Sequence, residues 1–389
     1  MTKAVHKRLG DLLNLKRGYD LPESQRRPGP YPVISSAGIT GYHDEYMVEG
    51  QGVVTGRYGT LGEMYYVDGK YWPHNTALYV TTFKGNDPKY IYYLLTCLGR
   101  IRTSDKSAVP GVNRNELHEM EIPAISDTKQ QKKVAAILSA LDAKIDCNNR
   151  INAELEAMAK TLYDYWFVQF DFPDAHGKPY KSSGGKMIYN ATLKREIPEG
   201  WEATTLASVT PISNDSLNPA DFPQKKFKHF SIPVFDATTT YRVERGDSIG
   251  SNKFTVLGTD LLVSKLNPWF SRVIYAMDEV DQICSTELVV WRCPTENLKN
   301  FLYLIATSPQ FISHCVQSAT GTSNSHKRVN PAVMMRFKLP YSAEVADGLG
   351  GRISPIVKKL IINRQENQQL AQLRDWLLPL LMNGQVTVA

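Results

Sequence analysis

The chain has 389 residues, 42% hydrophobic and 22% charged, with a formal net charge of +6, which is long enough for two or three cores and too ordinary to be disordered or membrane-embedded. A pI near 8.8 permits a polyanionic partner without requiring one. Cys97, Cys147, Cys284, Cys293 and Cys315 form no CxxC pair, which argues against a disulfide framework or a zinc knuckle. The opening MTKAVHKRLG lacks the apolar run of a signal peptide, and no stretch approaches the roughly 18 apolar residues of a membrane span. The expectation is a cytoplasmic protein that does not enter a membrane.

In chain order, residues 1–126 are rich in short β-type runs. VVTGRYGTLGEMYYVDG (Val53–Gly69) alternates as an apolar strand, a small residue with a cation, a polar turn and a second strand, the pattern of a hairpin. NTALYVTT (Asn75–Thr82) adds a strand, and KYIYYLLTCLGRI (Lys89–Ile101) a helix. The polar DKSAVPGVNR (Asp105–Arg114) then leads into a long helix expected from about Asp127 to Phe170, with Asp127 or Thr128 as its N-cap and the Asp171–Pro173 DFP sequence as its end. Gly184-Gly185-Lys186 lies in a polar linker and lacks the upstream glycine and the following Ser/Thr of a phosphate-binding loop.

Residues 197–344 repeat the first plan. DLLVSKLNPWFSRVIYAMD (Asp260–Asp278) is a second hairpin, with Lys265 at the place of Arg57; STELVVWRC (Ser285–Cys293), the helical KNFLYLIATSPQFI (Lys299–Ile312) and the polar TGTSNSHKR (Thr320–Arg328) follow. VNRNELHEMEIP (Val112–Pro123) reappears 217 residues later as VNPAVMMRFKLP (Val329–Pro340). A second long helix is expected to begin after Gly350-Gly351, to accept Pro355 in its first turn, to kink at Pro379 and to stop near Asn383-Gly384.

The two helices match most sharply. Val134, Leu141, Asn148, Leu155 and Leu162 succeed one another at seven-residue steps, with Ile137, Ile151, Met158 and Tyr165 between them. The same ladder recurs 215 residues on as Leu349, Ile356, Asn363, Leu370 and Leu377, its one asparagine on the same rung. Such seams predict an intramolecular antiparallel pair. Asn148 and Asn363 are candidates for a mutual buried contact that fixes register; the alternative puts both in solvent.

No constellation for catalysis emerges. Asn267-Pro268-Trp269-Phe270 resembles the motif with which amino-methyltransferases hold a target base, but it lacks the second proline and no cofactor loop precedes it. Gly56, Gly59 and Gly62 do not form GxGxxG. Adjacent His314 and Cys315 point about 100° apart on a helix, which favours packing over a nucleophile pair. What remains are loops of cations, amides, hydroxyls and aromatics, suited to phosphate and base edges.

The stretch from Gln130 (QQKKVAAILSALDAKIDCNN) to Glu202, with YPVISSAGITGYHDEY (Tyr31–Tyr46) and LRDWLLPLLMNG (Leu373–Gly384), resembles the specificity subunits of type I restriction-modification systems. The resemblance implies an α+β, pseudo-twofold chain: a target-recognition domain at 1–126, a helical spacer and linker at 127–196, a second recognition domain at 197–344 and a second spacer helix at 345–389. It implies double-stranded DNA, two methyltransferase subunits and usually two ATP-driven restriction-translocase subunits as partners. S-adenosylmethionine, ATP and Mg would serve those partners, and this chain would need no cofactor or metal.

On this reading Arg57, Tyr58, Lys106, Asn113 and Arg114 face one half of a bipartite target. Lys265, Asn267, Trp269, Asn324, His326, Lys327 and Arg328 face the other. The rival readings are a stand-alone DNA-modifying enzyme and a protein-binding scaffold without DNA readout.

Overall fold

The computed structural model describes residues 4–56, 63–104, 114–321 and 326–388, which divide into two compact units: residues 1–145 with 369–389, and residues 146–368. Of the residues expected at DNA, Arg57, Tyr58, Lys106, Asn113 and Asn324 lie outside the described ones.

In the first unit, strand β1 (Val5–Arg8) is followed by the single turn α1 (Leu9–Leu12), then β2 (Asn14–Arg17), β3 (Tyr31–Ser35), β4 (Gly38–His43), β5 (Val48–Gly56), β6 (Met64–Pro73) and β7 (Ala77–Thr82). Helices α2 (Pro88–Ser104) and α3 (Arg114–Glu119), strand β8 (Glu121–Ala124) and the long helix α4 (Thr128–Tyr163) follow. One sheet runs β2-β7-β5-β6-β3-β4, while β1 pairs separately with β8, Val5 opposite Ala124. The expected hairpin is β5–β6, with Val53 opposite Tyr66. Val53, Leu78 and Val80 pack on Tyr90, Ile91 and Leu94 of α2, and that core reaches Val134 and Leu138 of α4 and Leu378, Leu381 and Met382 near the C-terminus. Burying such side chains stabilises by about 1.5–3 kcal/mol each.

The second unit begins within α4, which runs on into one π-turn at Asp164–Val168 capped by Gln169; Phe170 follows with a φ of 65° that prevents further helix. A small hairpin, β9 (Met187–Asn190) and β10 (Arg195–Pro198), then leads to β11 (Glu202–Thr205), the turn α5 (Leu206–Val209), β12 (Ile212–Ser213), β13 (Ser216–Leu217), β14 (Lys226–Phe230), α6 (Ile232–Thr238) and β15 (Arg242–Arg245). Next come β16 (Lys253–Val256), β17 (Asp260–Ser264), β18 (Val273–Tyr275), β19 (Gln282–Cys284), β20 (Leu288–Arg292), α7 (Glu296–Thr307), α8 (Pro309–Ser318), α9 (Pro331–Met334), β21 (Lys338–Tyr341) and α10 (Ala343–Met382).

The strand orders here are β12-β20-β17-β18 and β13-β16-β19-β14-β15. Taking β16 with β17 as the counterpart of β5, and β18 with β19 as that of β6, both units read the same way from β2 or β12 to β4 or β15. The β11–β21 pair, Glu202 opposite Tyr341, repeats β1–β8.

Three helical expectations need correction. First, α10 begins at Ala343 and not after Gly350-Gly351. Ser342 starts it, its carbonyl accepting from the Ala346 N–H at 2.9 Å, and Pro355 therefore lies well inside. The glycines signal contact instead of a break: a Cβ at Gly350 would stand 1.9 Å from the backbone oxygen of Asn297 on α7. Second, the segment Lys299–Ile312 is two helices. Pro309 cannot donate to the preceding turn, and Ser308 caps the new helix by accepting from Phe311 N at 3.3 Å.

Third, the seam is read one residue off. Ile137, Ile151 and Met158 are exposed, whereas Leu138, Asn152 and Ala159 are buried, so the rungs alternate by four and then three. At the N-terminus of α4, Asp127 is the cap as expected, its Oδ1 accepting from Lys129 N at 2.9 Å.

Candidate nucleic-acid interface

The second polar loop is stitched to the second hairpin. Residues 265–272 turn β17 into β18, and the chain returns past them at 326–329. Asn267 N donates to the Lys327 carbonyl at 2.7 Å and Lys327 N donates to Asn267 Oδ1 at 3.0 Å. Thr320 and Arg328 exchange two backbone bonds of 2.9 and 2.8 Å, and Val329 N donates to the Lys265 carbonyl at 2.9 Å. Lys265, Asn267, Trp269, His326, Lys327 and Arg328 thus share one end of the unit, although far apart in sequence.

Their roles differ. Asn267 is a brace, its side-chain oxygen spent on the loop backbone. Arg328 is gripped by Glu287, with Nε at 2.9 Å and Nη2 at 3.2 Å, and this partner keeps its guanidinium charged. A bidentate carboxylate fixes the plane of an arginine and leaves its outer N–H groups for a ligand. Sequence reasoning did not find Glu287, because nothing in STELVV singles out one acid. It also passed over Phe270 and Arg272; Arg272 lies 4.4 Å from the Phe270 ring centroid and donates to Asp236 at 2.5 and 2.8 Å.

In the first unit, Arg114 starts α3 and is exposed. The β3–β4 region adds a surface that the sequence reading noted only as family-like: Ile39, Tyr42, Tyr46 and Met47 are exposed. Lys70 Nζ stands 4.4 Å from the Tyr46 ring centroid, and Arg27 binds Asp44 and Glu45 at 2.7 Å each. Asp44, and then Glu45, hold the Arg27 guanidinium charged.

The His and Cys side chains that suggest chemistry are engaged in packing. His314 Nε2 lies 2.9 Å from the Val333 carbonyl, and burial pushes the neighbouring Cys315 thiol up to about 12. Cys293 is likewise pushed up to about 12 by burial, so both thiols stay protonated and poorly nucleophilic. Among the described residues, no group of three or more His, Cys, Asp or Glu is placed to hold a metal ion, and no helix is long and apolar enough to cross a membrane.

Asn148 and Asn363 are both buried but do not bond to each other, which corrects the expectation of a mutual contact. Asn148 Nδ2 donates to Asn367 Oδ1 at 2.9 Å and Glu366 Oε2 at 2.8 Å, and Asn363 Nδ2 donates to Asn152 Oδ1 at 2.9 Å. The pairing is antiparallel, so a rising number on α4 meets a falling one on α10, and equal rungs land one turn apart. Asn152 and Asn367 are themselves separated by the 215-residue repeat, so the two contacts are duplicates of one another, a partner set hidden in the four-residue spacing of both pairs.

Residues 1–157 match the family model for the type I restriction modification DNA specificity domain. The MjaIX specificity subunit of Methanocaldococcus jannaschii is 26% identical over 317 residues, covering 77% of this chain and 69% of that protein. The HindI specificity subunit of Haemophilus influenzae is 22% identical over 324 residues, covering 67% and 68%. The crystal structure of the type I system S subunit from M. genitalium shares the fold, with a TM-score of 0.62 at 14% identity over 97% of this chain and 96% of that one. With the duplicated α+β plan and the paired long helices already in place, these likenesses agree: the chain is similar in sequence to type I restriction-modification specificity subunits and shares the fold of the solved S subunit.

Proposed function

We propose that the chain is a non-catalytic DNA reader: each recognition domain binds one half of a bipartite duplex target, and α4 with α10 form a pseudo-twofold coiled-coil spacer that sets the unread gap. The single observation that carries this reading is the repetition of one strand order in both units. Two copies of one reading module suit two half-sites. The first half-site would meet Arg57, Tyr58, Lys106, Asn113 and Arg114; the second, Lys265, Trp269, His326, Lys327 and Arg328 with Asn324, while Asn267 braces that loop.

The helices also leave apolar side chains in solvent, Ile151 and Met158 on α4 and Ile362, Leu373 and Trp376 on α10. Exposed apolar rows of this kind suit protein partners, here two methyltransferase subunits that bring S-adenosylmethionine and, through them, the restriction-translocase subunits.

Domain exchange tests the reading. The full chain with DNA and labelled S-adenosylmethionine should transfer no methyl group until a methyltransferase subunit is added, and the complex should then methylate one bipartite sequence. Replacing residues 197–344 by another subunit's second domain should change one half of that sequence and leave the other. Transfer by the chain alone would favour the enzyme; an unaltered methylated sequence would favour a mere scaffold. Inserting one heptad in both helices should widen the gap by about three base pairs, from a rise of about 1.5 Å per residue.

A further inference from the structure

We propose that the Trp269–Phe270 tip reads the 5-methyl group of a thymine in the half-site of the second recognition domain; this rests on the DNA-reading function just proposed and gives its apolar part. The tip is rigid and built at a cost. Asn267 and Ser271, on either side, both have φ of 48°, a left-handed conformation that non-glycine residues adopt at an expense recovered only when their surroundings hold them. Here Asn267 is tied to Lys327 from both its backbone N–H and its Oδ1, Ser271 N donates to the Pro268 carbonyl at 3.0 Å, and the buried Pro268 seats the turn on α8. The structure spends this on keeping Trp269 39% and Phe270 58% exposed.

The faces of the rings decide what the tip fits. Arg272 covers one face of Phe270 and is itself fixed by Asp236. Trp269 lies 5.9 Å away at 47°. An aromatic ring that stacks between base pairs uses its open faces, and Arg272 already occupies one face of Phe270. What remains exposed of this tilted pair is an apolar ridge.

Around the ridge stand Lys265, Arg272, Lys327 and Arg328 against Asp236 and Glu287, a net positive surround suited to a polyanion. The apolar group that duplex DNA offers on its base edges is the thymine methyl, and it is displayed in the major groove.

The test uses the full chain and a site selected by it from a random duplex pool, in which each thymine of the second half-site is replaced in turn by deoxyuridine, removing only the methyl. One position should weaken binding by about fourfold, the value of one buried methyl. In the double variant Trp269→Ala with Phe270→Ala that sensitivity should vanish while the salt dependence stays. Phe270→Leu, which keeps an apolar edge, should retain part of it and decides the matter if the double variant does not bind.

Specific binding by the wild type with no effect at any deoxyuridine overturns the proposal, as does a double variant equally sensitive to the methyl. Brightening of 2-aminopurine at a step in the wild-type complex overturns it too, in favour of a wedge. Selection of no sequence at all is a different result, since it overturns the DNA-reading function beneath.

Discussion

The first unit carries one long hairpin where the second carries a broken one, and one buried lysine bridges the break. In the first, β5 and β6 pair without interruption from Val48 opposite Tyr71 to Thr55 opposite Met64. In the second, Leu257–Thr259 part β16 from β17 and residues 276–281 part β18 from β19. Lys299 of α7 fills the gap: its Nζ donates to the Gly258 carbonyl at 2.7 Å and to the Ala276 carbonyl, one from each interruption.

The repeat places Lys89 of α2 at the same point of the first unit, with Lys89 Nζ 5.6 Å from the Tyr66 ring centroid and Lys299 Nζ 3.4 Å from that of Tyr275. One lysine-over-tyrosine contact has thus been kept twice, exposed where the ladder is whole and buried where backbone carbonyls need a donor. A sheet can lose its ladder locally if a neighbouring helix supplies the hydrogen bonds.

Breaking that comparison should give the largest effect. Lys299→Met keeps the apolar volume and leaves two carbonyls without donors, so it should destabilise the second unit by about 2–4 kcal/mol. Lys89→Met should stay within about 0.5 kcal/mol, as exposed substitutions do. Denaturant unfolding followed by hydrogen exchange in each unit separates the two.

The same lysine predicts a pH dependence. Burial pushes Lys299 down to about 7, and a neutral amine has two N–H donors for the two carbonyls. Between that value and the unfolded lysine value of about 10.4, the unfolded chain holds a proton that the folded one does not. Stability of the second unit should therefore rise with pH across this window, and the rise should disappear in Lys299→Met. An unchanged slope would reject the assignment.

The second effect in size concerns α10. The repeat sets Gly350 opposite Ala135 of α4, which is buried, so one helix tolerates a Cβ where the other presses on a backbone. Gly350→Ala must push α7 away from α10 and strain the bond from Asn300 Nδ2 to the Gly350 carbonyl, 3.1 Å long. A cost of about 1–3 kcal/mol is expected from such overpacking, against about 1 kcal/mol for Ala135→Gly from helix propensity, both read by thermal unfolding.

Gly350 also shows what the sequence made legible and what it hid. The hairpins and the existence of two long helices follow from local periodicity, which any segment carries in itself, and the repeats at 215 and 217 residues from comparing the chain with itself. The start of α10 does not, because Gly348, Gly350 and Gly351 look like a helix terminus unless the neighbouring α7 is known.

Asn148 and Asn363 are both buried, as one of the two sequence expectations had it, but their partners depend on where two antiparallel helices meet. At the candidate interface Lys265, Lys327 and Arg328 were named from the sequence and Arg272 was not. Glu287 and Asp236, which orient Arg328 and Arg272, come from segments distant in sequence. Charge is visible in a sequence; the acid that aims it is not.

The smallest effect compares how each unit fastens its own helix to the pair. In the first, Tyr93 of α2 donates to Asp142 Oδ2 at 2.5 Å and Arg374 Nη1 donates to Asp142 Oδ1 at 2.7 Å. In the second, Tyr303 of α7 lies beside Arg364, which donates to Glu156 at 2.8 Å. The plan is the same, a tyrosine beside a cross-helix arginine–carboxylate pair, but the carboxylates differ in exposure: the Asp142 side chain is 27% exposed and that of Glu156 50%.

Deleting the arginine therefore strands a half-buried charge in one unit and releases a wet one in the other. Arg374→Ala should cost about 1–2 kcal/mol after allowance for solvent screening, and Arg364→Ala less than about 1 kcal/mol from its pair. Asp142→Asn in the Arg374→Ala background removes the stranded charge while keeping an acceptor for Tyr93, so it should recover most of the loss. A double-mutant cycle on unfolding free energy checks this, and strictly additive effects would mean that Arg374 acts through packing alone.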